Sequence, residues 1–132
     1  MKDLKDDHPG NDLIQLTELR LGNWVLMNDK PVYMDLRLFH AVANAFDGYK
    51  PYPIPLTEDI LIKSGFRKNG YVGSAEKWTM DYKIVGDIEC ISLFKGNGHY
   101  ILMDYPLSKY KYLHQLQNIY HSLTGNELKI NL

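Results

Sequence analysis

A chain of 132 residues fits one domain, and at that length about two thirds of the unfolded surface can be buried, so a core forms without staples. A formal net charge of −1, from 15 basic and 16 acidic residues, gives no field to draw a polyanion, which disfavours nucleic acid as a partner. No apolar run approaches the roughly 20 residues of a membrane span, Met1–Asp7 lacks the apolar region of a signal peptide, and the single Cys90 cannot form an internal disulfide, so no membrane and a cytoplasmic setting are expected.

Residues 1–12 hold four Asp, two Lys and a His8-Pro9-Gly10 turn signal with little that is apolar, and read as a flexible N-terminal arm ahead of a single domain over 13–132. Asp6, Asp7 and His8 are consecutive on that arm, a poor start for a preorganised metal site. Between Leu13 and Leu21 the apolar positions fit neither the helical nor the strand period, and a short helical turn entering a strand is the compromise. Trp24–Met27 reads as a strand, Asn28-Asp29-Lys30 as a hairpin tip and Pro31–Met34 as the return, a unit that could belong to a small barrel. Leu36, Leu38, Phe39, Val42, Ala43 and Phe46 then recur at helical spacing, with Asp35 as N-cap and Asp47-Gly48 as the stop.

Tyr49–Pro55 is an extended connector, because each residue before a proline is pushed out of the helical region. The next helix has well-marked ends: Thr57 caps it, Glu58 and Asp59 meet the positive end of its dipole, and Gly65 followed by Phe66 predicts a Schellman ending closed on Leu61. After Asn69-Gly70 the pattern alternates. Trp78, Met80, Tyr82 and Ile84, then Ile88–Phe94, then Tyr100–Met103 predict a three-stranded antiparallel meander, with Tyr71-Val72 as a fourth strand. The last element is a helix from Tyr110 to Thr124, ended at Gly125; Tyr112, Leu113, Leu116, Ile119, Tyr120 and Leu123 share one arc, and the meander is the surface that arc is expected to cover.

Chemistry is scarce. Gly65 and Gly70 have the spacing of a phosphate loop, but Tyr71-Val72 stand where Lys and Ser/Thr are required; Gly96-Asn97-Gly98 precedes a strand, so it is a hairpin turn rather than a dinucleotide fingerprint. No acid/base pair can be assigned to a cleft, Cys90 reads as a buried inert thiol, and no metal or other cofactor is implied. On the flank of the last helix away from the apolar arc lie His114, Gln117, Asn118 and His121. They read either as a contact surface or as a satisfied polar face whose amides cap neighbouring strands or loops. Tyr49, Tyr52, Tyr105, Tyr110 and Tyr112 flank loops and prolines, where Tyr gives contact area at low entropic cost or covers the rim of a core.

Three segments, Glu18-Leu-Arg-Leu-Gly-Asn-Trp-Val25, Pro53-Ile-Pro-Leu-Thr-Glu-Asp-Ile-Leu-Ile-Lys-Ser-Gly-Phe66 and Leu113-His-Gln-Leu-Gln-Asn-Ile-Tyr-His-Ser-Leu-Thr-Gly-Asn-Glu-Leu128, resemble in order and spacing a family of small uncharacterised proteins of phages, prophages and mobile elements. Where that family has Glu-Glu or Glu-Glu-Trp after Pro-Leu-Thr, this chain has Glu58-Asp59-Ile60, which keeps the helix-start chemistry. The resemblance implies an intracellular accessory role and carries no activity, cofactor or catalytic residue.

The expected fold is α+β: an antiparallel hairpin and meander with a C-terminal amphipathic helix packed on the sheet. The expected function is that of a non-enzymatic binding protein acting by contact with a host or phage protein, through His114, Gln117, Asn118 and His121 and through Tyr49 and Tyr52 of the connector. The second reading is a binder of a small, nucleotide-like ligand, with aromatic rings for stacking and Arg67, Lys68 and Lys111 to meet phosphate.

Overall fold

The computed structural model describes residues 13–84, 86–102 and 108–132. The expected arm over 1–12, Met103 of the expected third strand and Tyr105 lie outside the described residues. The fold is α+β, with one two-stranded and one five-stranded antiparallel sheet and three helices. The chain falls into two compact units: the first runs to Pro55 and adds Tyr112–Asn118 and Leu132, and the second comprises Leu56–Lys111 and Ile119–Asn131.

In the first unit, β1 (Trp24–Met27) and β2 (Lys30–Tyr33) form a hairpin with Trp24 opposite Tyr33 and Met27 opposite Lys30. Asn28 and Asp29 both take positive φ, 52° and 62°, the pair of left-handed residues that a type I′ turn needs to match the strand twist. Alternate residues of β1 face inward: Val25 and Met27 join Ile14, Leu19 and Met34 in a buried cluster, with Val32, Leu38, Phe39 and Val42 packed against it. The hairpin is a two-stranded sheet rather than part of a barrel. Its outer side is completed by other means: Leu26 N–H donates to the Tyr52 carbonyl at 2.8 Å and Tyr52 N–H donates back at 2.9 Å.

Helix α1 (Leu36–Ala43) starts where expected, with the Asp35 carboxylate accepting from Leu38 N–H at 2.8 Å. It stops earlier than the Asp47-Gly48 signal implied. Ala45 adopts φ 54°, its N–H donates to Val42 O at 3.0 Å, and Phe46 N–H donates to Ala41 O at 3.1 Å, a Schellman ending built on alanine. No glycine marks that position, which is why the pattern of apolar residues overran it.

The second unit opens with α2 (Glu58–Lys63). Thr57 Oγ1 accepts from Ile60 N–H at 3.2 Å, Gly65 (φ 99°) donates to Ile62 O and Phe66 donates to Leu61 O, so both ends are fixed as the caps predicted. Leu61 and Phe66 are both buried. The sheet that follows is a meander in the order β3-β4-β5-β6-β7: β3 Arg67–Val72, β4 Ala75–Ile84, β5 Asp87–Lys95, β6 Tyr100–Leu102 and β7 Ser108–Tyr110. Trp78 lies opposite Leu93, Leu93 opposite Leu102, and Met80 opposite Ile91; opposed residues share a face, and these five, with Tyr100 two residues before Leu102, are buried on it. Strand β3 is longer than Tyr71-Val72, because a register shift between Lys68 and Tyr71, with Gly70 at φ 79°, carries the pairing across Asn69-Gly70. Cys90, expected to be buried, is exposed: it faces Asp81 on the side of the ribbon away from Met80 and Ile91.

Helix α3 (Leu113–Thr124) begins three residues later than expected, since Tyr110 pairs with Tyr100 in β7. Gln115 Oε1 accepts from Tyr112 N–H at 3.1 Å, half of a capping box, and Leu113 N–H is taken by Ile54 O at 2.8 Å. Gly125 (φ 74°) donates to His121 O at 2.8 Å and ends the helix in the left-handed conformation that glycine supplies. In the first unit, Leu113 and Leu116 of this helix are fully buried; in the second, Tyr120 meets Tyr82 of β4 edge to face at 6.5 Å, which packs the helix on the sheet.

Candidate functional site

Two of the four residues on the polar flank of α3, Gln117 and Asn118, are committed to the first unit's own strand and loop. Gln117 is 1% exposed; its Oε1 accepts from Trp24 N–H at 2.8 Å and its Nε2 donates to Gly22 O at 2.9 Å. Gly22 O and Trp24 N–H point to one side of the extended segment, the side on which Leu26 pairs with Tyr52, so the amide of Gln117 takes the place of a neighbouring strand residue. One helical position on, Asn118 Oδ1 accepts from Asn23 Nδ2 at 2.9 Å and Arg20 Nε at 3.1 Å, while its Nδ2 donates to Glu18 O at 2.8 Å. Arg20 also donates to Gln117 O at 3.3 Å, and Asn23 Oδ1 accepts from Arg20 N–H at 2.7 Å. Gln117 and Asn118 therefore cap a neighbouring strand and loop, and the contact-surface expectation gives way at these two residues because their hydrogen-bonding groups are already used.

His114 departs from that surface in another way. Its side chain is 3% exposed, and neither ring nitrogen has a hydrogen-bond partner among the described residues. Nε2 lies 3.5 Å from Glu18 Oε1, longer than a good hydrogen bond, and the ring stacks nearly parallel to that of Tyr112 at 6.0 Å. Burial pushes the imidazole below its ordinary range, and the Glu18 carboxylate opposes this in part. His121, in the half of α3 that belongs to the second unit, is half-buried. Tyr52 is half-buried and holds Leu26 through its backbone.

Two recesses open on the first unit, and Leu13 and Ile14 line both. One, of about 230 Å³, is lined by Leu13, Ile14, Leu16, Val42, Ala45, Phe46, Asp47, Tyr49, Lys50 and Pro51. Four of its large side chains stand open to solvent: Leu13 at 40%, Leu16 at 47%, Phe46 at 51% and Tyr49 at 38%. The other, of about 270 Å³, is polar, and Gln15, Glu18, Pro53, Tyr112, His114 and Gln115 complete its wall. No family model, curated protein or solved structure matches the chain.

Of the residues singled out from the sequence, the apolar recess gathers Tyr49, and the polar one His114 and Tyr112. Sequence reasoning missed Leu13, Leu16, Phe46 and Glu18. The first two did leave a signal: Leu13, Leu16 and Leu21 break any period because they face solvent, while Ile14 and Leu19, between them, enter the core. Helical spacing makes Phe46 the last core position of a helix that in fact ends before it, at Ala43. Two cations of the small-ligand reading lie on β3, where Arg67 faces Asp81 at 3.6 Å and Lys68 faces Glu76 at 3.4 Å; the third, Lys111, follows β7, and its carbonyl accepts from Leu56 N–H at 2.8 Å. Among the described residues no group of three or more His, Cys, Asp or Glu is placed to hold a metal ion, and no helix is long and apolar enough to cross a membrane.

Proposed function

We propose that the protein is a non-enzymatic binding protein, an accessory of a phage or mobile element that acts by contact with another protein, and that the apolar recess of the first unit is where that contact is made. The observation that supports it is the clustering of Leu13, Leu16, Phe46 and Tyr49 around one concavity, each more than a third exposed, with Asp47 and Lys50 on its wall. Large apolar side chains scattered singly over a surface are ordinary; gathered around a recess with polar groups at its edge, they give a partner's apolar side chain a place to leave water. The left-handed Ala45 lies in the same wall, so backbone strain coincides with the recess.

Charge placed in the recess tests the reading. Phe46→Asp and Leu16→Asp alter side chains already half in water, so the fold is expected to survive. Each is expected to remove a partner that the wild type captures from host or phage-infected cells, while Ile88→Asp, on an exposed strand residue of the second unit, keeps it. Capture unaffected by both recess variants refutes the assignment.

A further inference from the structure

The polar recess beside the apolar one is short of positive charge. Its wall among the described residues holds a carboxylate, an imidazole, two amides and a phenol, and neither Lys nor Arg. Glu18 is half exposed at 49%, and its side-chain contact among the described residues is His114 Nε2 at 3.5 Å. Behind it, the ring nitrogens of His114 are shielded and have no hydrogen-bond partner among the described residues. A buried polar atom without a partner is costly, so the arrangement gains from a donor that reaches the lone pair of the ring. Glu18, being half in water, can move aside to admit one.

We propose that this recess binds a cationic head group, an alkylguanidinium or alkylammonium, through the Glu18 carboxylate, with His114 Nε2 as a second acceptor behind it and the Tyr112 ring alongside. An anion is disfavoured, because it would meet the Glu18 carboxylate with no cation in the wall to offset it. A guanidinium is the better match, since its planar fork can donate two parallel hydrogen bonds to one carboxylate and lie against an aromatic ring. The cation comes either from the side chain of a protein whose apolar neighbour occupies the adjoining recess or from a free small molecule. The head-group chemistry does not depend on the apolar recess being occupied.

The test is an NMR titration of the full chain with methylguanidinium, following the His114 imidazole signals, with acetate as the anionic control. A saturable shift at His114 is expected, with Glu18→Gln weakening it at least tenfold and acetate producing none. Phe46→Asp is expected to leave methylguanidinium binding unchanged, so a failure of the apolar contact and a failure of the cation site can be told apart. The capped dipeptide acetyl-Leu-Arg-amide separates the sources. Binding at least tenfold tighter than methylguanidinium, with the gain lost in Phe46→Asp, assigns the cation to a protein side chain, whereas equal affinity assigns it to a free small molecule. The proposal is overturned if the His114 signals do not saturate, if Glu18→Gln binds as well as the wild type, or if acetate competes.

Discussion

Replacing Gln117 by Glu changes one atom and tests the claim that a helix side chain completes the hairpin edge. The remaining oxygen can still accept from Trp24 N–H, but the atom that donated to Gly22 O becomes an acceptor facing an acceptor, in a position 1% exposed. The variant can repair this by binding a proton, which restores a donor toward Gly22. An ordinary glutamic acid titrates near 4.3, so holding the proton at pH 7 costs about 2.7 pH units at about 1.4 kcal/mol each, and the destabilisation is capped near 4 kcal/mol. It is expected to shrink by about 1.4 kcal/mol for each unit of acidification, until the unfolded carboxyl also binds its proton. Gln117→Ala has no such repair. It leaves two buried backbone groups without partners, at about 1–3 kcal/mol each, and its deficit relative to wild type is expected to be flat with pH. Urea unfolding followed by far-UV circular dichroism at pH 5, 6, 7 and 8, with wild type in parallel to remove shared pH effects, gives the comparison. A Gln117→Glu chain as stable as wild type at pH 7, or a deficit that does not narrow on acidification, refutes the role given to this amide.

Three further outcomes follow from the same structure. Ala45→Gly should stabilise the chain by about 0.5–1 kcal/mol in urea unfolding, because relief of a left-handed alanine, worth about 1–2 kcal/mol, outweighs the added freedom of the unfolded chain. Gly65→Ala should cost about 1–2 kcal/mol by the same assay, since φ is 99° and a Cβ there would lie 3.4 Å from Met80 Sδ. His114 is depressed by burial, so its stabilising contribution is complete above the ordinary value of 6.5 and is lost as the pH falls below it toward the folded value. One proton gives a slope of at most about 1.4 kcal/mol per pH unit, and His114→Gln should flatten that part of the stability profile. Among the described residues, Glu18 and Tyr112 are the titratable groups facing this ring, and Glu18→Gln, by removing the carboxylate that draws the proton back, should move the His114 NMR titration to still lower pH.

What could be read from the sequence was what short segments decide alone. Thr57, Glu58, Asp59 and Gly65 fix the ends of α2 within one stretch of nine residues, and the structure follows them. The alternation from Trp78 to Ile84 and from Ile88 to Phe94 placed the central ribbon for the same reason. Where the ending of an element rests on a strained residue, as at Ala45, no local signal exists. The candidate sites depend on pairs far apart in the chain: Gln117 with Gly22 and Trp24, Asn118 with Arg20 and Asn23, and His114 with Glu18. Period and spacing identified the polar flank of α3 but could not say what stood opposite it, and it is the opposite partner that turns an amide into a structural cap or leaves an imidazole at the back of a recess.

The separation of 95 positions between Gly22 and Gln117 also orders events during synthesis. The hairpin can form as soon as it leaves the ribosome, yet the partner that quiets Gly22 and Trp24 emerges only after the whole five-stranded sheet has been made. Until then the edge is bare at Gly22 and Trp24, beyond the stretch that Tyr52 covers, and able to pair there with another nascent chain, so slow translation or a stop codon before position 117 exposes the protein to aggregation through its first sheet.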